Sequence, residues 1–107
     1  MAIANKLLGQ SKPSAATPTD LYTVPQATQA NFNIFVANQA AQSDTIRISL
    51  ALAGVALDPK QYIAYGVTIE ANSIYKITGI SLAATDKIRI YSTNGTCSFT
   101  ATGVELS

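Results

Sequence analysis

Apolar and polar side chains alternate every second residue over much of this sequence, and this feature constrains the fold more than any other. In residues 44–52 the apolar positions are Ile46, Ile48, Leu50 and Leu52. Residues 30–38 repeat the pattern with Ala30, Phe32, Ile34 and Val36. Because successive side chains of a strand point to opposite faces, each segment is predicted to be a strand with one buried face.

Short runs rich in β-branched and aromatic residues, separated by turn residues, continue this pattern. They predict further strands at residues 21–24, 62–65, 67–70, 74–78, 88–92 and 98–102. Asn94-Gly95 lies between the last two and predicts a tight hairpin, since this pair suits a type I′ turn. About eight short strands predict an all-β fold, an antiparallel β-sandwich or jelly roll, with a small closed barrel as the alternative.

Residues 1–19 differ in composition from the rest of the chain. Residues 11–19 are small, polar and proline-bearing, which disfavours both helix and central strand. We therefore predict an extended N-terminal arm over residues 1–19 and a β-sandwich domain over residues 20–107. The arm packs either on another subunit, which we favour, or on its own chain. Its candidate anchoring residues are Ile3, Leu7, Leu8, Pro13 and Pro18.

The charge balance argues against several classes of partner. The formal net charge is +1 and the seven basic residues are scattered, so no patch suited to nucleic-acid phosphates is expected. The longest apolar stretch, residues 50–57, is too short to span a membrane and ends at Asp58-Pro59. The N-terminus lacks the continuous apolar region of a secretory signal. We expect neither a nucleic-acid nor a membrane partner.

The residue types required for common catalytic sites are missing or isolated. The chain has no histidine, so Ser-His and Cys-His pairs cannot form. The single cysteine, Cys97, alternates with Phe99 and Ala101 and is predicted to be a buried, unreactive thiol. We therefore expect no enzymatic activity, no metal site and no cofactor. The aspartates at strand ends and turns are expected to bond nearby backbone: Asp20, Asp44, Asp58 and Asp86.

Three of the five tyrosines are candidates for surface recognition. Tyr62 and Tyr65 lie close together beside Lys60, and Tyr91 follows Arg89. Tyrosines supply flat, amphipathic contacts to carbohydrates and proteins. The alternative is cross-strand packing, because aromatic residues are favoured in strands anyway.

Several segments together resemble small β-sandwich virion proteins of tailed bacteriophages. They are residues 21–25 (LYTVP), Asn38, residues 45–50 (TIRISL), 60–65 (KQYIAY) and 84–92 (ATDKIRIYS), and the resemblance covers most of residues 20–105. It implies a virion structural protein, assembled in the host cytoplasm, that decorates or cements the capsid and contacts the major capsid protein or other virion proteins. It also implies self-association, for which a trimer is the first expectation. The alternative is a tail, baseplate or fibre-associated module that binds a receptor or glycan.

Overall fold

A computed structural model of the chain describes residues 2–107, and in this range the fold is all-β. The eight strands are β1 (Ile3–Ser11), β2 (Thr19–Thr23), β3 (Gln29–Asn38), β4 (Asp44–Ala51), β5 (Tyr62–Ile69), β6 (Ile74–Leu82), β7 (Lys87–Ser92) and β8 (Cys97–Leu106). Two short 3₁₀ turns, Leu52–Gly54 and Pro59–Gln61, lie between β4 and β5. Within residues 2–107, no helix has the length and apolar character needed to cross a membrane.

The strands form two antiparallel sheets of four strands each. The first sheet has the order β1-β8-β3-β6 and the second has the order β2-β7-β4-β5. Successive strands along the chain therefore often lie in different sheets, while β1 pairs with β8, β2 with β7, β3 with β6 and β4 with β5. The chain follows the path of one long antiparallel ribbon that has been folded back across two layers.

The predicted alternation places the core between these layers. In β3, Phe32, Ile34 and Val36 are buried, and in β4, Ile46 and Ile48 are fully buried. Phe99 of β8 is also fully buried and belongs to the same apolar cluster. Since burial of apolar area is the main favourable term in folding, these central strands are expected to supply most of the stability of the sandwich.

Two local predictions differ from the structure. Residues 62–65 and 67–70 were predicted as separate strands, but β5 is continuous and Gly66 forms a bulge with a φ of +67°. The prediction of a hairpin at Asn94-Gly95 is wrong, because β7 and β8 belong to different sheets. A two-residue I′ turn needs positive φ at both central residues, and only Gly95 has it.

The separate N-terminal arm is not confirmed. Ile3–Ser11 forms β1, an edge strand paired with β8 of the same chain. Gly9 makes this packing possible, because a Cβ there would lie 2.3 Å from the carbonyl oxygen of Leu21. The sequence did not reveal this strand because most of β1 is exposed on both faces, which leaves no alternation to detect.

The five candidate anchoring residues divide into three groups in the structure. Ile3 and Leu7 point outward and are 67% and 58% exposed. Leu8 packs against the core and Pro13 is buried, so both serve the fold of their own chain. Pro18 is exposed at the rim of a groove on the second sheet. Only Ile3 and Leu7 offer substantial apolar surface to a partner.

Candidate functional site

The outer face of the second sheet brings two of the three candidate tyrosines together around an arginine. Arg47 on the central strand β4 is directly opposite Tyr65 on β5 and Tyr91 on β7. The Arg47 Cζ atom lies 4.4 Å from the ring centroid of Tyr65 and 4.5 Å from that of Tyr91. Both distances are within the range of cation–π attraction, so the two rings hold the guanidinium in place.

In the described part of the chain, Arg47 has no acidic partner. Within residues 2–107 its guanidinium takes part in no ion pair and no side-chain hydrogen bond, although it is one of only two arginines. Tyr62 extends the aromatic surface, since its ring meets that of Tyr65 edge-on with 4.8 Å between centroids. The arrangement therefore presents a positioned cation whose hydrogen-bond donors are free for a ligand.

We refer to the adjoining groove as the tyrosine–arginine groove; it is lined by Pro18, Arg47, Ser49, Leu57, Tyr62, Arg89, Ile90 and Tyr91. None of these residues is acidic. The space inside this groove is about 10 Å³, which is room for a single water-sized group. Beside it, Pro59, Tyr62 and Tyr65 line an open recess of about 410 Å³.

The second arginine lies deeper in this groove. The Arg89 side chain is 14% exposed, with Nε 3.4 Å from Oδ1 of Asp20 and Nη2 donating to the carbonyl oxygen of Gly54 over 3.4 Å. Its Nη1 is buried and has no partner in the described residues. Asp20 also pairs with Lys87, at 3.0 Å. One carboxylate is thus shared by two cations.

The outer face of the first sheet has a different character. The register places small polar residues along its central strands, among them Asn31 and Asn33 of β3 and Thr100 and Thr102 of β8. Among the described residues, Lys76 is the only charged side chain that the register places on this face. Its exposed apolar side chains are Ile3, Leu7, Phe35 and Ile74. This weakly charged face lies on the opposite side of the sandwich from the tyrosine–arginine groove.

Asp44 is the most heavily hydrogen-bonded aspartate, and it is only 2% exposed. Its Oδ1 accepts from the backbone N–H groups of Thr45, at 2.8 Å, and Asn94, at 2.9 Å. Its Oδ2 accepts from the hydroxyls of Ser92 and, at 3.1 Å, Thr96. Burial raises the pKa of Asp44, but the hydrogen bonds that stabilise the carboxylate, led by the one from Ser92, outweigh burial and lower it below the usual value.

The other predicted aspartate roles also follow from local hydrogen bonds. Asp58 accepts from the backbone N–H of Lys60, and Asp86 accepts from those of Ala53 and Ala83. The expectation of backbone bonding is confirmed for Asp44, Asp58 and Asp86, whereas Asp20 forms ion pairs instead. No three side chains of the types that bind metals come together within residues 2–107.

Cys97 is fully buried, as its alternation with Phe99 and Ala101 predicted. Burial, with a further contribution from the neighbouring Asp44 carboxylate, raises the pKa of the Cys97 thiol to about 12. The reactive thiolate form is therefore scarce near neutral pH.

A polar cluster at the other end of the sandwich ties β1 to the second sheet. Nζ of Lys6 lies 2.8 Å from Oε1 of Glu105, and the hydroxyl of Tyr22 donates to Oε2 of the same carboxylate. The hydrogen bonds from Lys6 and Tyr22 lower the pKa of Glu105, while burial and the carboxylate raise that of Tyr22. Tyr22 also meets Phe32 edge-on, so the cluster is continuous with the core.

Comparison with protein-family models gave no match, and comparison with curated proteins gave none either.

Proposed function

We propose that this chain is a structural protein of a tailed-bacteriophage virion that binds and stabilises the capsid as a decoration or cement protein. The resemblance of residues 20–105 to β-sandwich virion proteins suggests this function. We further propose that the fold is a jelly roll, because the strand orders β1-β8-β3-β6 and β2-β7-β4-β5 are those of a folded ribbon of four strand pairs. Jelly rolls are common in viral capsid and lectin domains.

The observation that carries the proposal is the weakly charged outer face of the first sheet. Interface cores in protein complexes are depleted of charged residues and enriched in apolar and aromatic ones. Within residues 2–107, the register gives this face one charged side chain, Lys76, and the face exposes Leu7, Phe35 and Ile74. Such a surface suits repeated attachment to a shell of capsid subunits.

The edges of the sheets support docking through this face and not through strand addition. The pairings that involve the edge strands, β1 with β8, β2 with β7, β3 with β6 and β4 with β5, each contain a bulge or register shift. The two internal pairings, β3 with β8 and β4 with β7, contain none. Bulges at edges are a known protection against unintended strand pairing.

We propose a trimer that contacts the major capsid protein or another virion protein through side chains.

Particle reconstitution tests this function directly. Purified full-length chain is added to phage particles that lack it, and bound copies are measured by quantitative mass spectrometry and immunogold labelling. We expect labelling of the head, with occupancy reduced about tenfold or more by the double variant Ile3→Gln, Leu7→Gln. The matched control is Leu52→Gln, which changes a 76% exposed leucine on a loop that follows the second sheet.

Absence of the protein from particles would overturn the virion proposal. Labelling of the tail instead of the head would overturn the capsid role and support the tail-associated alternative. Native mass spectrometry of the free chain tests the trimer. Equal occupancy of the Ile3, Leu7 double variant and the Leu52 control would show that the first sheet is not the docking face.

A second candidate function is a tail, baseplate or fibre-associated module that binds a receptor or glycan. The contact of Arg47 with Tyr65 and Tyr91 favours it, since an ordered cation between two aromatic rings is suited to ligand contact. Host-cell or glycan binding by the isolated chain would support this function.

A further inference from the structure

We propose that the tyrosine–arginine groove and its adjoining recess bind a carbohydrate that carries a carboxylate, such as a uronic or sialic acid. This proposal rests on the second candidate function above. It adds that the ligand is negatively charged and that Arg47 binds its carboxylate.

The aromatic part of the site suits a sugar ring. Tyr62 and Tyr65 form an open, partly apolar wall together with Pro59, and Tyr65 is 63% exposed. Tyrosine offers an apolar ring face and a hydroxyl that remains hydrated, which matches the apolar and polar faces of a pyranose. The recess of about 410 Å³ has room for one sugar unit with its neighbours extending into solvent.

The charged part of the site selects an acid. Arg47 is held between two rings, has no acidic partner among the described residues, and presents a planar fork of donors. A guanidinium fork matches a carboxylate in a bidentate manner.

The groove leads from Arg47 to a second cation. Arg89 lines the same groove, and its Nη1 has no hydrogen-bond partner in the part of the chain that the structure describes. The space of about 10 Å³ inside the groove has room for a carboxylate oxygen but not for a sugar ring. The ring is therefore placed over Tyr65 and Tyr62, with its carboxylate directed at Arg47 and toward Arg89.

An acidic protein segment is the competing ligand class. A flat tyrosine wall beside an open recess favours a ring over an extended peptide. Tyr62 and Tyr65 lie on the edge strand β5, but the register of β5 with β4 shifts twice, and such bulges disfavour the addition of a further strand. The carbohydrate is therefore the occupant that the observations favour, and the peptide becomes an outcome of the test.

Binding is measured on the full chain by calorimetry and by tyrosine fluorescence, which is informative because the chain has five tyrosines and no tryptophan. The probes are oligogalacturonate and sialyllactose, each compared with its neutral counterpart, methyl-esterified oligogalacturonate and lactose. Oligoglutamate is the peptide probe. We expect an acidic sugar to bind at least about tenfold more tightly than its neutral match, with an affinity that falls as salt rises.

The variants separate charge from packing. Arg47→Gln is expected to weaken binding of the acidic sugar roughly ten- to a hundredfold and to abolish the preference for it over the neutral sugar. Tyr65→Ala is expected to weaken binding of both sugars. Lys76→Gln, which removes one positive charge from the opposite face, is the matched control and should bind normally. Far-ultraviolet circular dichroism confirms that each variant is folded.

Equal binding of neutral and acidic sugars would overturn this inference while leaving the glycan-binding function in place. Absence of binding to any sugar would overturn both. Tighter binding of oligoglutamate than of either acidic sugar would assign the groove to an acidic protein partner, and normal binding by Arg47→Gln would remove Arg47 from the site.

Discussion

Replacing Asp44 tests whether one buried carboxylate holds the passage of the chain between the two sheets. Asp44 starts β4, Ser92 ends β7, and Asn94 and Thr96 lie in the connection that leads to β8 in the other sheet. The carboxylate bonds all three as well as the N–H of Thr45. Removing it therefore leaves three donors without this acceptor, at Thr45, Ser92 and Asn94, while the Thr96 hydroxyl keeps the side-chain oxygen of Asn38 at 3.0 Å.

The expected cost follows from these bonds. Hydrogen bonds to charged groups contribute about 1.5–3 kcal/mol each, but the backbone donors at Thr45 and Asn94 are only partly buried and regain some water. We expect Asp44→Ala to lower the free energy of unfolding by about 3–5 kcal/mol, a large part of the roughly 5–15 kcal/mol of a typical domain. Asp44→Asn keeps an acceptor for the two N–H groups and places its amide group against two hydroxyls that can accept. We therefore expect it to lower the free energy of unfolding by only about 1–2 kcal/mol.

Urea unfolding followed by circular dichroism measures both variants, with Asp58→Asn as the control. Asp58 is exposed and accepts a single bond from Lys60, so the control should stay within about 0.5 kcal/mol of the wild type. The order of loss should be Asp44→Ala, then Asp44→Asn, then the control. A loss below about 1 kcal/mol for Asp44→Ala would refute the role assigned to this carboxylate.

The same carboxylate gives a pH dependence with a defined sign. The pKa of Asp44 is lowered in the folded state, so its stabilising effect is complete above the unfolded value of about 4 and is lost as pH falls through the folded pKa. Wild-type stability should therefore decline below about pH 4, and Asp44→Asn should show a smaller decline over that window. Parallel curves for the two proteins would contradict the assignment.

Two further predictions concern the packing of β1 and of the last strand. Gly9→Ala should destabilise the chain by about 1–3 kcal/mol and speed proteolysis of the N-terminal strand, because the added Cβ meets the backbone oxygen of Leu21 at 2.3 Å. The control Ala4→Ser, on the exposed part of β1, should change neither the stability nor the rate of proteolysis. Cys97 should react with a thiol reagent slowly in the native protein and completely in urea, since it is fully buried with a raised pKa, and rapid native labelling would contradict a buried β8.

The sequence predicted the strands that have one buried and one exposed face. The alternation around Ile34 and Ile48 predicted strands, their buried faces and the all-β class, because a half-buried strand must show period two. Cys97 was placed correctly for the same reason. Strand β1 was missed since its first residues are exposed on both faces and carry no such constraint.

Features that depend on distant parts of the chain could not be predicted. The crossing from β7 to β8 is held by Asp44, about 50 residues away in sequence, and no local turn rule contains that contact. Likewise, Tyr65 and Tyr91 were candidates on composition, but Arg47 joins them only through the register of β4 with both neighbours. Strand pairing across the sheet, and not residue type, creates that site.

The two outer faces of the sandwich differ in character: that of the first sheet is weakly charged, and that of the second carries Arg47 and the tyrosines. The two proposed functions would therefore use different faces. Attachment through the weakly charged face of the first sheet would leave the second sheet pointing away from the partner, because the two sheets are opposite layers of a body whose shortest extent is 19 Å. A docked chain would thus display the tyrosine–arginine groove outward. Capsid binding and acidic-sugar binding are therefore compatible in one molecule, and variants at Leu7 and Arg47 should affect them independently.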